Sequence, residues 1–159
     1  MNNNSHPTLA LVDDEEMVIT SIKACLELET DYTVWGFADP EEAARFLKEA
    51  PVDVVVSDYL MPRMNGIQLL ARAKRAQPEA SRVLLTGHAD HQSAMAAINE
   101  VGLFQYLEKP WDNAQLLLVI RAGVERARLL RELSEKISAL DSAHSALKEM
   151  QRRLLQAFL

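Results

Sequence analysis

The stretch Val52-Asp53-Val54-Val55-Val56-Ser57-Asp58-Tyr59-Leu60-Met61-Pro62-Arg63-Met64-Asn65-Gly66 decides how the rest of the chain is read. Val52 to Ser57 is a nearly unbroken apolar run that stops at Asp58. A strand with one face in water would alternate apolar and polar residues. This run does not, so it predicts a central parallel strand covered on both faces and ending at a carboxylate. The loop that follows carries Pro62 and Gly66 and leads to a predicted helix, Ile67 to Gln77, closed by Pro78.

Outward from this segment the same unit recurs. Toward the N-terminus, Thr8 to Val12 predicts a buried strand ending in Asp13 and Asp14, followed by a helix over Glu15 to Leu28 with Val18, Ile22, Cys25 and Leu26 on its apolar face. Tyr32 to Phe37 is aromatic and β-branched, a second strand, and Asp39-Pro40-Glu41 has the form of a helix start. Toward the C-terminus, Arg82 to Leu85 predicts a strand ending at Thr86, Asp90 to Glu100 a helix stopped by Gly102, and Leu103 to Leu107 a strand ending at Lys109, before a helix capped by Asp112. Strands alternating with helices five times predict an α/β fold, an open doubly wound parallel sheet. Ligands of such sheets bind beyond the carboxyl ends of the strands. Asp13, Asp14, Asp58, Thr86 and Lys109 all fall at those ends and are expected on one rim.

Composition narrows the function classes. At 159 residues and 48% hydrophobic content the chain can bury a core. A formal net charge of −6 argues against direct nucleic-acid binding by this segment. With Cys25 alone there is no internal disulfide and no cysteine metal site. No apolar run is long enough for a membrane span, and residues 1–6 read as a disordered tail without the apolar region of a secretory signal, so a cytoplasmic protein is expected.

Three carboxylates on one rim repel each other unless a cation and an ammonium intervene. Hard oxygen donors suit Mg²⁺, and Lys109 supplies the ammonium. A carboxylate in that setting is a nucleophile toward a phosphoryl donor, because metal and lysine offset charge on the transferring oxygens. Thr86 offers a hydroxyl at the same rim. Taken singly these groups have plainer readings: a helix cap for the acidic pair, a turn at Thr86-Gly87, a surface charge at Lys109. Their occurrence at successive strand ends is what sets those readings aside.

Asp13-Asp14, the segment Ser57 to Gly66, Leu84-Leu85-Thr86-Gly87 and Tyr106-Leu107-Glu108-Lys109-Pro110, in this order and spacing, resemble the receiver domain of two-component response regulators. The resemblance covers roughly residues 7 to 127. It implies a five-stranded sheet of order 2-1-3-4-5, a phosphoryl group accepted by Asp58 from a partner histidine kinase, and Mg²⁺ held directly by Asp14, Asp58 and the Leu60 backbone carbonyl, with Asp13 acting mainly through water. It further implies that Lys109 pairs with the acids and then with the phosphoryl group, that the Lys109–Pro110 bond is cis, and that Thr86 and Tyr106 form the switch pair. Such a domain is a phosphoacceptor switch rather than an enzyme. Leu60 and His88 stand two residues after Asp58 and Thr86, where side chains can border the phosphoryl group. Leu60 cannot position an attacking water; His88 could, but reads first as a partly exposed shield or loop residue, and together they point to a comparatively long-lived phosphoryl state. A phosphatase of the haloacid-dehalogenase type needs a second acid where Leu60 stands. A phosphorylation-independent scaffold would be expected to have lost some of the rim groups.

After Gly123 neither glycine nor proline occurs to the end. Leu130, Leu133, Ile137, Leu140, His144, Leu147, Gln151, Leu154 and Phe158 recur in steps of three and four, an a/d heptad with only His144 and Gln151 polar, both at a. The expected domains are therefore a tail at 1–6, a receiver at 7–127 and a coiled-coil dimerisation helix at 128–159 leading toward an output domain. Gly123 is expected to mark the joint.

Overall fold

The computed structural model describes residues 5–158, the side chains of His88, Ala96, Ala97 and Glu100 excepted. Most of the expected tail at 1–6 lies outside these residues, as does the side chain of His88. Of the tail's described part, His6 Nδ1 sits 2.9 Å from Asp31 Oδ2.

The elements are β1 (Thr8–Val12), α1 (Glu16–Glu29), β2 (Thr33–Phe37), α2 (Pro40–Glu49), β3 (Val54–Asp58), α3 (Gly66–Ala76), β4 (Ser81–Thr86), a 3-10 turn (His88–Asp90), α4 (His91–Val101), β5 (Gln105–Glu108) and α5 (Asn113–Phe158). The five strands form one parallel sheet of order β2-β1-β3-β4-β5, as expected. Alternate residues of each strand point to opposite faces. Leu9, Leu11, Val54, Val56, Val83, Leu85 and Leu107 meet Ile22 and Leu26 of α1 and Leu116, Ile120 and Val124 of α5. Ala10, Val55 and Leu84 meet Leu47 of α2, Leu70 and Ala73 of α3, and Ala94 and Val101 of α4. Both faces of β3 are thus covered, which is why its sequence does not alternate.

Strand β3 starts two residues later than the apolar run. Asp53 is buried ahead of it and accepts a hydrogen bond from Thr8 N at 2.8 Å, tying the starts of β1 and β3 together. Helix ends follow local chemistry. Asp39 Oδ1 accepts from Glu41 N at 3.0 Å ahead of Pro40 at the first helical position. Asn65 and Gln68 form a reciprocal capping box at the start of α3, with both bonds at 2.9 Å. Gly102 takes the left-handed φ of 58° that ends α4.

Two features differ from the sequence reading. Arg82, read only as the start of a strand, is 4% exposed. Its guanidinium donates to Val101 O, Gly102 O, Pro78 O and Ala80 O at 2.9–3.2 Å, which satisfies the unpaired carbonyls at the end of α4 and fastens that helix to β4. Gly123 is not a joint. It is buried within α5 and lets that helix approach the sheet: an added Cβ would lie 3.3 Å from both Ser81 Cβ and Val54 Cγ2. Ser81 Oγ donates to Gly123 O at 2.6 Å, closing the contact. The chain divides into two compact units, one through Ala127 and one from Arg128. The second is the remainder of α5, on which Leu133, Ile137, Leu140, Leu147, Leu154 and Phe158 are exposed.

Because Gly123 is a packing position, a large side chain there is expected to cost about 1–3 kcal/mol by overpacking, whereas Gly123→Ala gains ~1 kcal/mol of helix propensity against a tight contact and changes little. Urea unfolding of Gly123→Leu and Gly123→Ala checks this; a flexible joint would tolerate both.

Candidate functional site

Parallel register assembles the rim. Val12 pairs with Ser57, so Asp13 and Asp58 come next on adjacent strands. Asp58 pairs with Leu85, and Thr86 follows. Thr86 pairs with Glu108, and Lys109 follows. Three neighbouring strands and the segment after a fourth therefore deliver two acids, a hydroxyl and an amine to one edge, as the sequence predicts.

Carboxylate oxygens of Asp13, Asp14 and Asp58 all lie within 4.8 Å of one another. Asp13 and Asp58 are buried, and Asp14 is exposed. Lys109 Nζ donates to Asp58 Oδ1 at 3.0 Å, and the Lys109–Pro110 peptide is cis. Asp13 Oδ1 accepts from Glu15 N at 2.9 Å, while its Oδ2 is buried and has no hydrogen-bond partner among the described residues. Thr86 Oγ1 is buried and likewise unpartnered, although Thr86 O accepts from Lys109 N at 2.8 Å. A buried carboxylate oxygen without a donor, inside a group of three acids, fits a small hard cation.

Burial is the largest influence on Asp13 and pushes its pKa from an ordinary 3.8 to about 6, with Asp58 adding to it and the Glu15 N–H opposing. Burial likewise raises Asp58, against the pull of Lys109. Burial acts to lower the Lys109 ammonium, but Asp58, Asp13 and Glu15 together outweigh it and hold it above its usual value.

Backbone geometry holds the acceptor loop. Gly66 N donates to Tyr59 O at 2.8 Å, and Tyr59 N to Leu85 O at 2.9 Å. A Cβ on Gly66 would stand 2.2 Å from Asp58 O, so only glycine permits this loop to close over the strand end. Leu60 is 66% exposed beside Asp58. Tyr106, on β5, is half-buried and packs edge-on against His91, with centroids 5.1 Å apart. His91 was missed in the sequence because the contact joins two elements across the sheet edge, and no spacing within either announces it.

The arrangement presents a carboxylate, Asp58, with an ammonium and an unpartnered hydroxyl around the position its attacked group would occupy.

A family model for the response regulator receiver domain matches residues 9–121. The hydrogenase transcriptional regulatory protein HoxA of Cupriavidus necator is 31% identical over 118 residues, 74% of this chain and 24% of that protein. The C4-dicarboxylate transport transcriptional regulatory protein DctD of Rhizobium meliloti is 30% identical over 141 residues, 89% of this chain and 30% of that protein. The chain thus matches less than a third of these relatives' length. Among solved structures, the signal receiver domain of an HD domain-containing protein from Pseudomonas fluorescens superposes with a TM-score of 0.72 at 35% identity, covering 78% of this chain and 98% of that one.

The raised acids make a pH prediction for the protein in a chelator. A group whose folded pKa lies above its unfolded value stabilises the fold at low pH, and that stability is lost as pH rises through the folded pKa. For Asp13 the loss falls between about pH 4 and 6. Asp13→Asn is therefore expected to be more stable than the parent at pH 7.5 by about 1–3 kcal/mol, with the gap closing near pH 4. Urea melts of both proteins in EDTA across this range measure it.

Proposed function

The chain belongs to the response regulator receiver family, and from that premise we propose that Asp58 accepts a phosphoryl group from a histidine kinase in the cytoplasm. In this step an Asp58 carboxylate oxygen attacks phosphorus, the bond from phosphorus to the kinase imidazole nitrogen breaks, and an acyl phosphate forms on Asp58. Asp14, Asp58 and the Leu60 carbonyl would hold Mg²⁺, with Asp13 acting mainly through water. When bound, Mg²⁺ offsets charge on the transferring oxygens. Lys109, already on Asp58 at 3.0 Å, moves its ammonium to a phosphoryl oxygen. Thr86 Oγ1 donates to another.

The observation that carries this reading is the pair of unmet polar atoms, Asp13 Oδ2 and Thr86 Oγ1, at the rim that also holds the Asp58–Lys109 pair. Buried polar groups left without partners cost stability, and a water on a bound cation and a phosphoryl group would supply the missing partners. As Thr86 turns toward the phosphoryl group, Tyr106 turns inward into the space it leaves, and the change passes through α5 to an effector. The heptad stripe of Leu130, Leu133, Ile137, Leu140, His144, Leu147, Gln151, Leu154 and Phe158 joins two copies as a coiled-coil homodimer. A scaffold that ignores phosphorylation has no use for the four rim groups kept together.

An acyl-phosphate donor with Mg²⁺, followed by intact mass, is expected to add one phosphoryl group to the parent and none to Asp58→Asn; equal labelling of both would overturn the reading. Sedimentation of the same samples is expected to give a dimer.

The side chain of Leu60, exposed beside Asp58, carries no donor or acceptor to orient water. Leu60→Gln is expected to shorten the phosphoryl lifetime by roughly 5- to 10-fold, about one hydrogen bond's worth of orientation, in a time course of intact mass.

A further inference from the structure

Resting on the homodimer reading above, we propose that the second copy of this chain joins in parallel and in register, and that the polar layers at His144 and Gln151 together with the flanking pair Lys136 and Asp141 select that arrangement. The part of α5 from Arg128 is a compact unit by itself. Its seam is uncovered along its length, from Leu133 at 54% exposure to Phe158 at 85%. Exposed apolar surface of this extent marks an interface.

The core layers discriminate between orientations. Position a faces a of the other helix in a parallel pair and d in an antiparallel one. The d positions are all leucine: Leu133, Leu140, Leu147 and Leu154. An antiparallel pair therefore sets both His144 and Gln151 against leucine, leaving their polar atoms without partners. A parallel pair in register sets imidazole on imidazole and amide on amide, and each of these can donate and accept. A parallel pair slipped by one heptad sets Ile137 against His144 and Gln151 against Phe158. Only the parallel, in-register pairing matches both polar layers.

The flanks give the same answer independently. In a parallel pair each g residue meets the e residue five positions on in the other helix. Lys136 then meets Asp141 of the second copy, two attractive contacts per dimer. Met150 meets Leu155 of the second copy, which accounts for two apolar side chains, 60% and 63% exposed, that lie outside the a/d seam. The remaining pairs, Leu129 with Ser134 and Ala143 with Lys148, bring no like charges together. A one-heptad slip instead places Lys136 against Lys148. Within its own helix Lys136 Nζ lies 3.1 Å from Glu132 Oε1, and an ammonium with three donors can serve both acids. Both receiver domains are then joined to the same end of the coil.

The test uses the full chain carrying Cys25→Ala, with Ile137→Cys and Gln151→Cys introduced separately, and pairs mild oxidation with sedimentation. A parallel, in-register dimer cross-links to itself at both positions. The two positions are 14 residues apart, about 21 Å along the helix, so no antiparallel centre serves both. A dimer that cross-links at one position only, or at neither, overturns the parallel register and leaves the dimer reading standing. A monomer removes both, and a fold-back of the helix or a different helical partner would give that result. As a second measurement, Lys136→Glu and Asp141→Lys are each expected to weaken the dimer by roughly 3- to 10-fold, since each places like charges in both flanking pairs. Their equimolar mixture is expected to recover parental affinity as a heterodimer. A mixture no tighter than either variant alone overturns the charge pairing.

Discussion

One ammonium faces three carboxylates. Lys109 reaches Asp58 at 3.0 Å, and the oxygens of Asp13, Asp14 and Asp58 lie within 4.8 Å of each other. Water would screen such a cluster on an open surface, but Asp13 and Asp58 are buried. The fold holds them there because the parallel pairing of β1 with β3 makes their last residues neighbours, and the covered faces of both strands fix that register. The core thus forces together groups that repel. A neutralising partner at such a rim relieves part of this repulsion.

The fold was legible because β3 is covered on both faces and strand-helix alternation leaves few architectures. The site was legible because polar residues at four successive strand ends are rare unless they act together. What sequence hid was contact across elements. Arg82 looks like any strand residue, yet its guanidinium meets carbonyls from α4 that are about twenty residues away. Gly123 carried the signature of a helix weak point, and only the approach of Ser81 and Val54 shows that it is a packing position. Helix propensity describes a residue in isolation, and here tertiary contact decides. Asn65 has a local task at the start of α3, its capping box with Gln68. His91 beside Tyr106 has no local signature at all.

The two parts of α5 bury different things. Through Ala127 the helix gives the sheet Leu116, Ile120, Gly123, Val124 and Ala127, a stripe wide enough to cover a flat surface. From Arg128 the a and d residues form a seam with Lys136, Asp141 and Lys148 on its flanks, beside the apolar Met150 and Leu155. A seam of that width matches another helix better than a sheet. The change of stripe falls within one helix, whose buried face through Ala127 gives way to exposed apolar residues from Leu133 on.

Stability is given up for specificity at both ends of this chain, and by related means. At the rim, burial raises the Asp13 and Asp58 carboxyls, so their ionised forms cost the fold stability, and it leaves Asp13 Oδ2 without a hydrogen-bond partner among the described residues. In the seam, His144 and Gln151 interrupt an otherwise apolar a/d stripe, and polar groups at such positions trade stability for selectivity between registers. In each case a polar group stands where a less polar one would cost the fold less.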